Sequence, residues 1–270
     1  MSFAAGDLFM GETLVKNMAR TAGIDIFSVD YDLAPYARYP TTPLQMLGAW
    51  IYLTKELRYD PSQIYIGGDS YGAFATMVFN RYMRDVYPLL DVEKSGGKAP
   101  PTPGLVLISP WLHNTGENFA SREANVKYDI ITMAYANWGI DGLGVGPKYA
   151  KQVPIPPNNP WISPVEMSVE EMAELPPLFV TNGGIETLLD EGKLLVEKAR
   201  KAGVSVEHLI EVSLHCCRFG SSIMLTNPSR SLQPGQTHDY GTSPAEVAVA
   251  KKAYRRMKTW FNNIEAKRTA

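Results

Sequence analysis

Cysteine is nearly absent from this chain. Its 270 residues include only Cys216 and Cys217, side by side. Adjacent cysteines offer neither a disulfide framework nor metal-ligand spacing. No basic block stands out: 26 Lys and Arg face 28 Asp and Glu, for a net charge of −2. Nothing therefore points to nucleic acid or to an anionic membrane surface. No apolar run approaches the roughly 20 residues that cross a bilayer. The first residues lack a basic stretch followed by an apolar core, so no signal peptide is read and a cytoplasmic location is expected. Internal repeats and low-complexity tracts are also missing.

What remains suits one α/β domain over residues 1–270, long enough for a sizeable core. Strand-like and helix-like segments alternate. Residues 25–31 read as a buried strand, and 43–57 as a helix with Leu44, Met46, Leu47, Trp50, Ile51 and Leu53 on its apolar side. The run 64–66 reads as a strand, and 71–87 as its helix. A Gly/Pro/Lys-rich linker, 95–103, leads to a strand at 105–108. Further strands are expected at 178–181 and 205–212, with a helix at 188–202 ended by Gly203. A last helix is expected over 244–263, with Pro244 near its start. Such alternation predicts a mostly parallel sheet with helices on both faces. Residues 113–172 break the pattern, rich in Asn, Pro and Gly and holding Trp138 and Trp161. They read as a cap over a substrate pocket.

The sharpest motif is Gly68-Asp69-Ser70-Tyr71-Gly72, between the apolar run 64–66 and a helical pattern. Gly-x-Ser-x-Gly in that setting reads as a nucleophile elbow. The tight turn holds the serine hydroxyl above the sheet. The next backbone N–H then lies at a helix N-terminus, where developing negative charge is favoured. A serine nucleophile needs a base, and the base needs an orienting acid. The loop 183–192 supplies Glu186, Asp190 and Glu191. Acids also suit a first helical turn, so position alone leaves Glu186 and Asp190 both open. His215 and His238 compete for the base, one after the strand 205–212 and one in a turn-rich loop before the last helix. His208 alternates within a strand and reads as packing or surface. His113 comes too early in the chain order.

Five segments in order resemble the hormone-sensitive-lipase-like esterases. Val29-Asp30-Tyr31-Asp32-Leu33-Ala34-Pro35 with Tyr39-Pro40 is similar to the signature before that family's elbow. Gly68-Asp69-Ser70-Tyr71-Gly72 resembles its Gly-Asp-Ser-Ala-Gly, and Ser109-Pro110-Trp111-Leu112 its Ser-Pro-Trp segment. The run 186–192 resembles its acid loop with Glu in the acid position, and Gly235-Gln236-Thr237-His238-Asp239-Tyr240 its base loop. The resemblance implies an α/β-hydrolase fold and carboxylester hydrolysis through an acyl-enzyme. It implies Ser70 as nucleophile, His238 as base and Glu186 as orienting acid, with no metal and no organic cofactor. The partner it implies is a small-molecule ester of small or medium acyl chain, such as an acetylated lipid or secondary metabolite.

Two departures from the family shape the expectations. Its His-Gly-Gly-Gly segment, whose backbone completes the oxyanion hole, is represented by Ala4-Ala5-Gly6-Asp7. The backbone N–H groups of Gly6, Asp7 and Tyr71 are the oxyanion candidates. The strand that precedes this segment in the family has no counterpart here, nor do two earlier strands. That strand lies between the 25–31 segment and the elbow strand, so its loss is expected to leave an unpaired edge. Residues 213–231 form an insertion before the base loop. Val212-Ser213, Leu225-Thr226 and Arg230-Ser231 can be encoded by donor, branch and acceptor signals of a short intron. Residues 215–231 accordingly read as translated intron, against the alternative of a surface loop. Two function classes follow: a serine carboxylesterase or deacetylase, and a non-catalytic or ligand-binding member of the same fold.

Overall fold

The computed structural model describes residues 8–90, 102–114, 119–145, 149, 155–211 and 247–269. Four parallel strands form one sheet in the order β1 (Ile66–Asp69), β2 (Leu105–Ile108), β3 (Leu178–Gly183) and β4 (Val206–Glu211). Leu105 lies between Ile66 and Leu178, and Leu178 pairs in turn with Val206. Every residue of β2 and β3 is buried. Such near-continuous apolar runs are what parallel strands need when both faces are covered.

Alternation along the strands sends side chains to opposite faces. Leu105, Leu107, Leu178 and Val180 pack with Trp50, Met77 and Leu195. These come from α2 (Thr41–Ile51), α3 (Tyr71–Asp85) and α8 (Leu189–Lys201). Val106, Ile108 and Phe179 face the other way, against Leu14, Tyr254, Met257 and Trp260. That layer is α1 (Leu8–Ala22) and α9 (Val247–Thr269). Acids in the first turn of α8 and Lys198, Arg200 and Lys201 in its last turn complement the helix dipole. Gly203, at φ +83, then reverses the chain so that the Val204 N–H reaches the Ala199 carbonyl. Between β2 and β3 the chain builds the short helices α5 (Ala120–Asn125), α6 (Met133–Leu143) and α7 (Val169–Met172). The remaining short helix, α4 (Tyr87–Leu90), follows α3.

Residues 25–31 do not form the expected strand. They pair with no ladder, and Phe27 is 51% exposed. The helix expected over 43–57 ends as an α-helix at Ile51 and continues as a π-helical turn, Tyr52–Glu56. Trp50 is buried there, whereas Leu44 and Ile51 are exposed. The elbow strand starts two residues later than its apolar run, at Ile66, and takes in Gly67 and Gly68. Beside it lies a cleft of about 800 Å³, lined by residues 24–29 on one side and 63–69 on the other. β1 is thus an edge strand among the described residues. Among the described residues no strand lies alongside the segment 25–31. A strand is a paired structure, and period-2 apolar residues alone do not make one. No helix among the described residues is long and apolar enough to cross a membrane.

Candidate active site

Ser70 sits between β1 and α3 with φ 56 and ψ −119. A non-glycine residue persists in such backbone only where the surroundings fix it. Here its N–H bonds to the Ile108 carbonyl at 2.9 Å, and its carbonyl accepts from Trp111 N–H at 3.2 Å and Ala73 N–H at 3.0 Å. Glycine at 68 is required by the close approach of α3: a Cβ there would meet the Gly72 carbonyl. Tyr71 is the first residue of α3, and the first four N–H groups of a helix have no intrahelical acceptor. The Tyr71 hydroxyl donates to Thr42 Oγ1 at 3.1 Å, and burial pushes its pKa up to about 12. Its ring stacks on Phe74 and meets Tyr31 edge-on. The elbow is therefore held by the sheet on one side and by aromatic packing on the other.

The register brings the strand ends together. Asp69 pairs with Ile108 and Ile108 with Thr181, so Ser70 and Ser109 follow the ends of β1 and β2 while Asn182 lies level with them in the last two residues of β3. Ser109 is also at positive φ, 43. Its N–H bonds to the Thr181 carbonyl, and its hydroxyl donates to Glu186 Oε2 at 2.7 Å. Asn182 Nδ2 donates to Glu186 Oε1. Glu186 is fully buried. A carboxylate two strands from the serine, bonded to the intervening strand end, can orient a base above the sheet.

The loop carrying Glu186 is clamped from the insertion. Asp129 accepts from the Thr187 N–H and from its hydroxyl at 2.8 Å. Asn125 Nδ2 donates to the Glu186 carbonyl, and Ser121 Oγ to the Thr187 carbonyl. Asp190, the rival acid, accepts instead from the Ser121 N–H at 2.8 Å and so braces α5. Glu191 is wholly buried too. It pairs with Arg122 and accepts from the N–H groups of Leu112 and His113. Arg122 also lies over the Trp111 ring, 4.7 Å from its centroid. An acid in a first helical turn is thus here the anchor of the loop after β2. Arg122 and Asn182 carried no sequence signal; a charged or amide residue is placed inside only by its partners.

His113, set aside on chain order, is buried: its ring meets Phe119, and Nε2 lies 3.4 Å from Glu166. His208 lies on β4 with Nε2 3.0 Å from Asn182 Oδ1. Burial, then the charges of Arg200 and Lys193, lower its pKa to about 4. The two base candidates His215 and His238, the oxyanion candidates Gly6 and Asp7, and the 213–231 insertion lie outside the described residues. Among the described residues no group of three or more His, Cys, Asp or Glu could hold a metal ion.

A family described as the α/β hydrolase fold matches residues 2–217. The chain belongs to it. An esterase of Acinetobacter venetianus is 29% identical over 205 residues, covering 76% of this chain and 60% of that protein. The carboxylic ester hydrolase LipN of Mycobacterium tuberculosis is 25% identical over 206 residues, covering 75% of this chain and 50% of LipN. The chain thus spans about half to three fifths of the length of these curated relatives. Among solved structures, a hormone-sensitive lipase from a metagenome library superposes with a TM-score of 0.71 at 23% identity, covering 98% of this chain and 74% of that one. At that identity the superposition shows the fold. The strand-to-helix turn at Ser70 and the loop carrying Glu186 therefore stand on the sheet of the α/β hydrolase fold.

Proposed function

We propose that the chain is a serine carboxylesterase acting on esters of small or medium acyl groups, including acetyl esters. The observation that carries this reading is Ser70 in a strained strand-to-helix turn at the N-terminus of α3. Ser70 Oγ attacks the ester carbonyl carbon while His238 takes its proton. Negative charge on the carbonyl oxygen is met by the Tyr71 N–H, with Gly6 and Asp7 N–H groups as further donors. Collapse expels the alcohol, which takes the proton back from His238, and leaves an acyl group on Ser70. Water, deprotonated by the same imidazole, then releases the acid and frees the serine. Glu186 orients the imidazole and offsets its charge. The relatives named as esterase and carboxylic ester hydrolase support ester chemistry. No metal or organic cofactor enters these steps. An acetylated secondary metabolite is one substrate of this class.

A second reading is a non-catalytic or ligand-binding member of the fold. The cleft beside β1 favours it, because among the described residues no strand pairs with that edge next to Ser70. Hydrolysis of p-nitrophenyl acetate separates the two. Activity abolished by Ser70→Ala supports the esterase; equal rates for both proteins support the binding reading. For the base, His238→Ala should abolish activity and His215→Ala should spare it, and a protein lacking residues 215–231 should stay active if that stretch is translated intron.

A further inference from the structure

We propose that Asn182 is a positioning residue for the Glu186 carboxylate and that His208 locks the amide in the orientation this requires. The proposal rests on Glu186 being the acid of the hydrolytic site. Each oxygen of that carboxylate has a donor: Ser109 Oγ on Oε2 and Asn182 Nδ2 on Oε1. An amide that donates with Nδ2 must turn Oδ1 the other way. Oδ1 points at His208 Nε2, 3.0 Å away. Only a nitrogen bearing hydrogen completes that bond, so the ring carries its proton on Nε2. With the proton on Nδ1 alone, Nε2 would be an acceptor. The amide would then flip and set its oxygen against the carboxylate, which repels it.

The surroundings enforce the arrangement. His208 and Asn182 sit diagonally across β4 and β3, since Val180 pairs with His208 and Asn182 with Ile210. Asn182 is fully buried, so its two polar atoms depend on these two partners. Gly192 on α8 admits the amide, because a Cβ there would collide with it. The charged groups acting on the imidazole are Arg200 and Lys193, both on α8; with burial they keep the ring neutral. The sequence therefore sets a polar relay of His208, Asn182 and Glu186 beneath the acid loop. Its effect is to hold one carboxylate rotamer, and a misplaced acid costs rate more than binding.

The test combines kinetics with an observation that needs no activity. In the full chain labelled with 15N-histidine, His208 should show the Nε2–H tautomer, and Asn182→Ala should abolish that preference. Asn182→Ala should lower kcat for p-nitrophenyl acetate on the order of 10–100-fold with little change in KM. His208→Leu should also lower kcat, whereas His208→Gln, which offers an amide N–H to Oδ1, should recover most of it. The His208 pair carries the kinetic test if Asn182→Ala does not fold. An unlocked or Nδ1–H imidazole in the unaltered protein overturns the relay. So does full kcat in Asn182→Ala, or equal rates in His208→Leu and His208→Gln, when Glu186→Gln is inactive. If Glu186→Gln keeps full activity, the assignment of the acid falls instead, and the tautomer alone decides the relay.

Discussion

The two flanks of the sheet differ in how they are closed. On the β3–β4 flank β3 is paired on both sides, with β4 the other edge strand among the described residues; the loop carrying Glu186 is tied to α5 by side chains, and the buried pair of Arg122 and Glu191 is closed. On the β1 flank the strand borders a cleft of about 800 Å³, and the facing segment has no ladder. Ser70, the proposed nucleophile, stands on the open flank and Glu186, the proposed acid, on the other. Strain at Ser70 is therefore supported from β2, through Ile108 and Trp111, and not from the cleft. The contrast also shows which half of a site tolerates change: the half whose partners come from several elements loses most when one is removed.

The largest expected effect lies on the open flank. An unpaired edge strand invites pairing with other chains. Residues 1–270 should self-associate reversibly as concentration rises, and fusing a segment ahead of α1 that lays a strand along β1 should give a protein that stays monodisperse. Light scattering across a concentration series checks this; a monodisperse, cooperatively melting unaltered chain would erase the contrast. On the closed flank, Arg122→Ala leaves Glu191 buried without its cation. It should cost about 3–5 kcal/mol in denaturant unfolding of the monodisperse fusion. Phe179→Ala should cost a similar ~3–5 kcal/mol through the void it leaves in β3, since Phe179 is fully buried. Phe27→Ser, facing the cleft, should change stability by less than about 0.5 kcal/mol. Equal losses at Phe27 and Phe179 would show that the two flanks are packed alike.

The smallest effect is a pH dependence. His208 has its pKa lowered to about 4 by burial and by Arg200 and Lys193, against an ordinary value near 6.5. The native state thus favours the neutral ring. This stabilisation is complete above the unfolded value and is lost as pH falls from about 6.5 towards 4. Thermal melts should show the melting temperature dropping across that window, and His208→Gln should flatten the drop. An unchanged slope in the variant would place the acid sensitivity elsewhere.

Much of the closed flank was legible in advance. The runs at 105–108 and 178–181 are apolar on both faces, so local composition and tertiary burial agree. The α8 boundaries followed from charge placement and Gly203. The elbow was legible because its backbone demands glycine at 68. Residues 25–31 also read as a buried strand, yet pairing needs a second strand that local sequence cannot supply. The buried pair of Arg122 and Glu191 was hidden for a related reason. Sixty-nine positions separate them, and each alone reads as a solvated charge. Asn182 was equally silent, since its role is set by His208 and Glu186 together.

On the proposed reading Ser70 is an activated nucleophile supported from the end of β2. Labelling with a fluorophosphonate, read by mass spectrometry of the modified peptide, addresses it most directly. A base-activated hydroxyl attacks phosphorus readily. The expected result is a single adduct on Ser70, absent from Ser70→Ala and lost with His238→Ala. An adduct elsewhere, or labelling that survives Ser70→Ala, would contradict the assignment of the elbow.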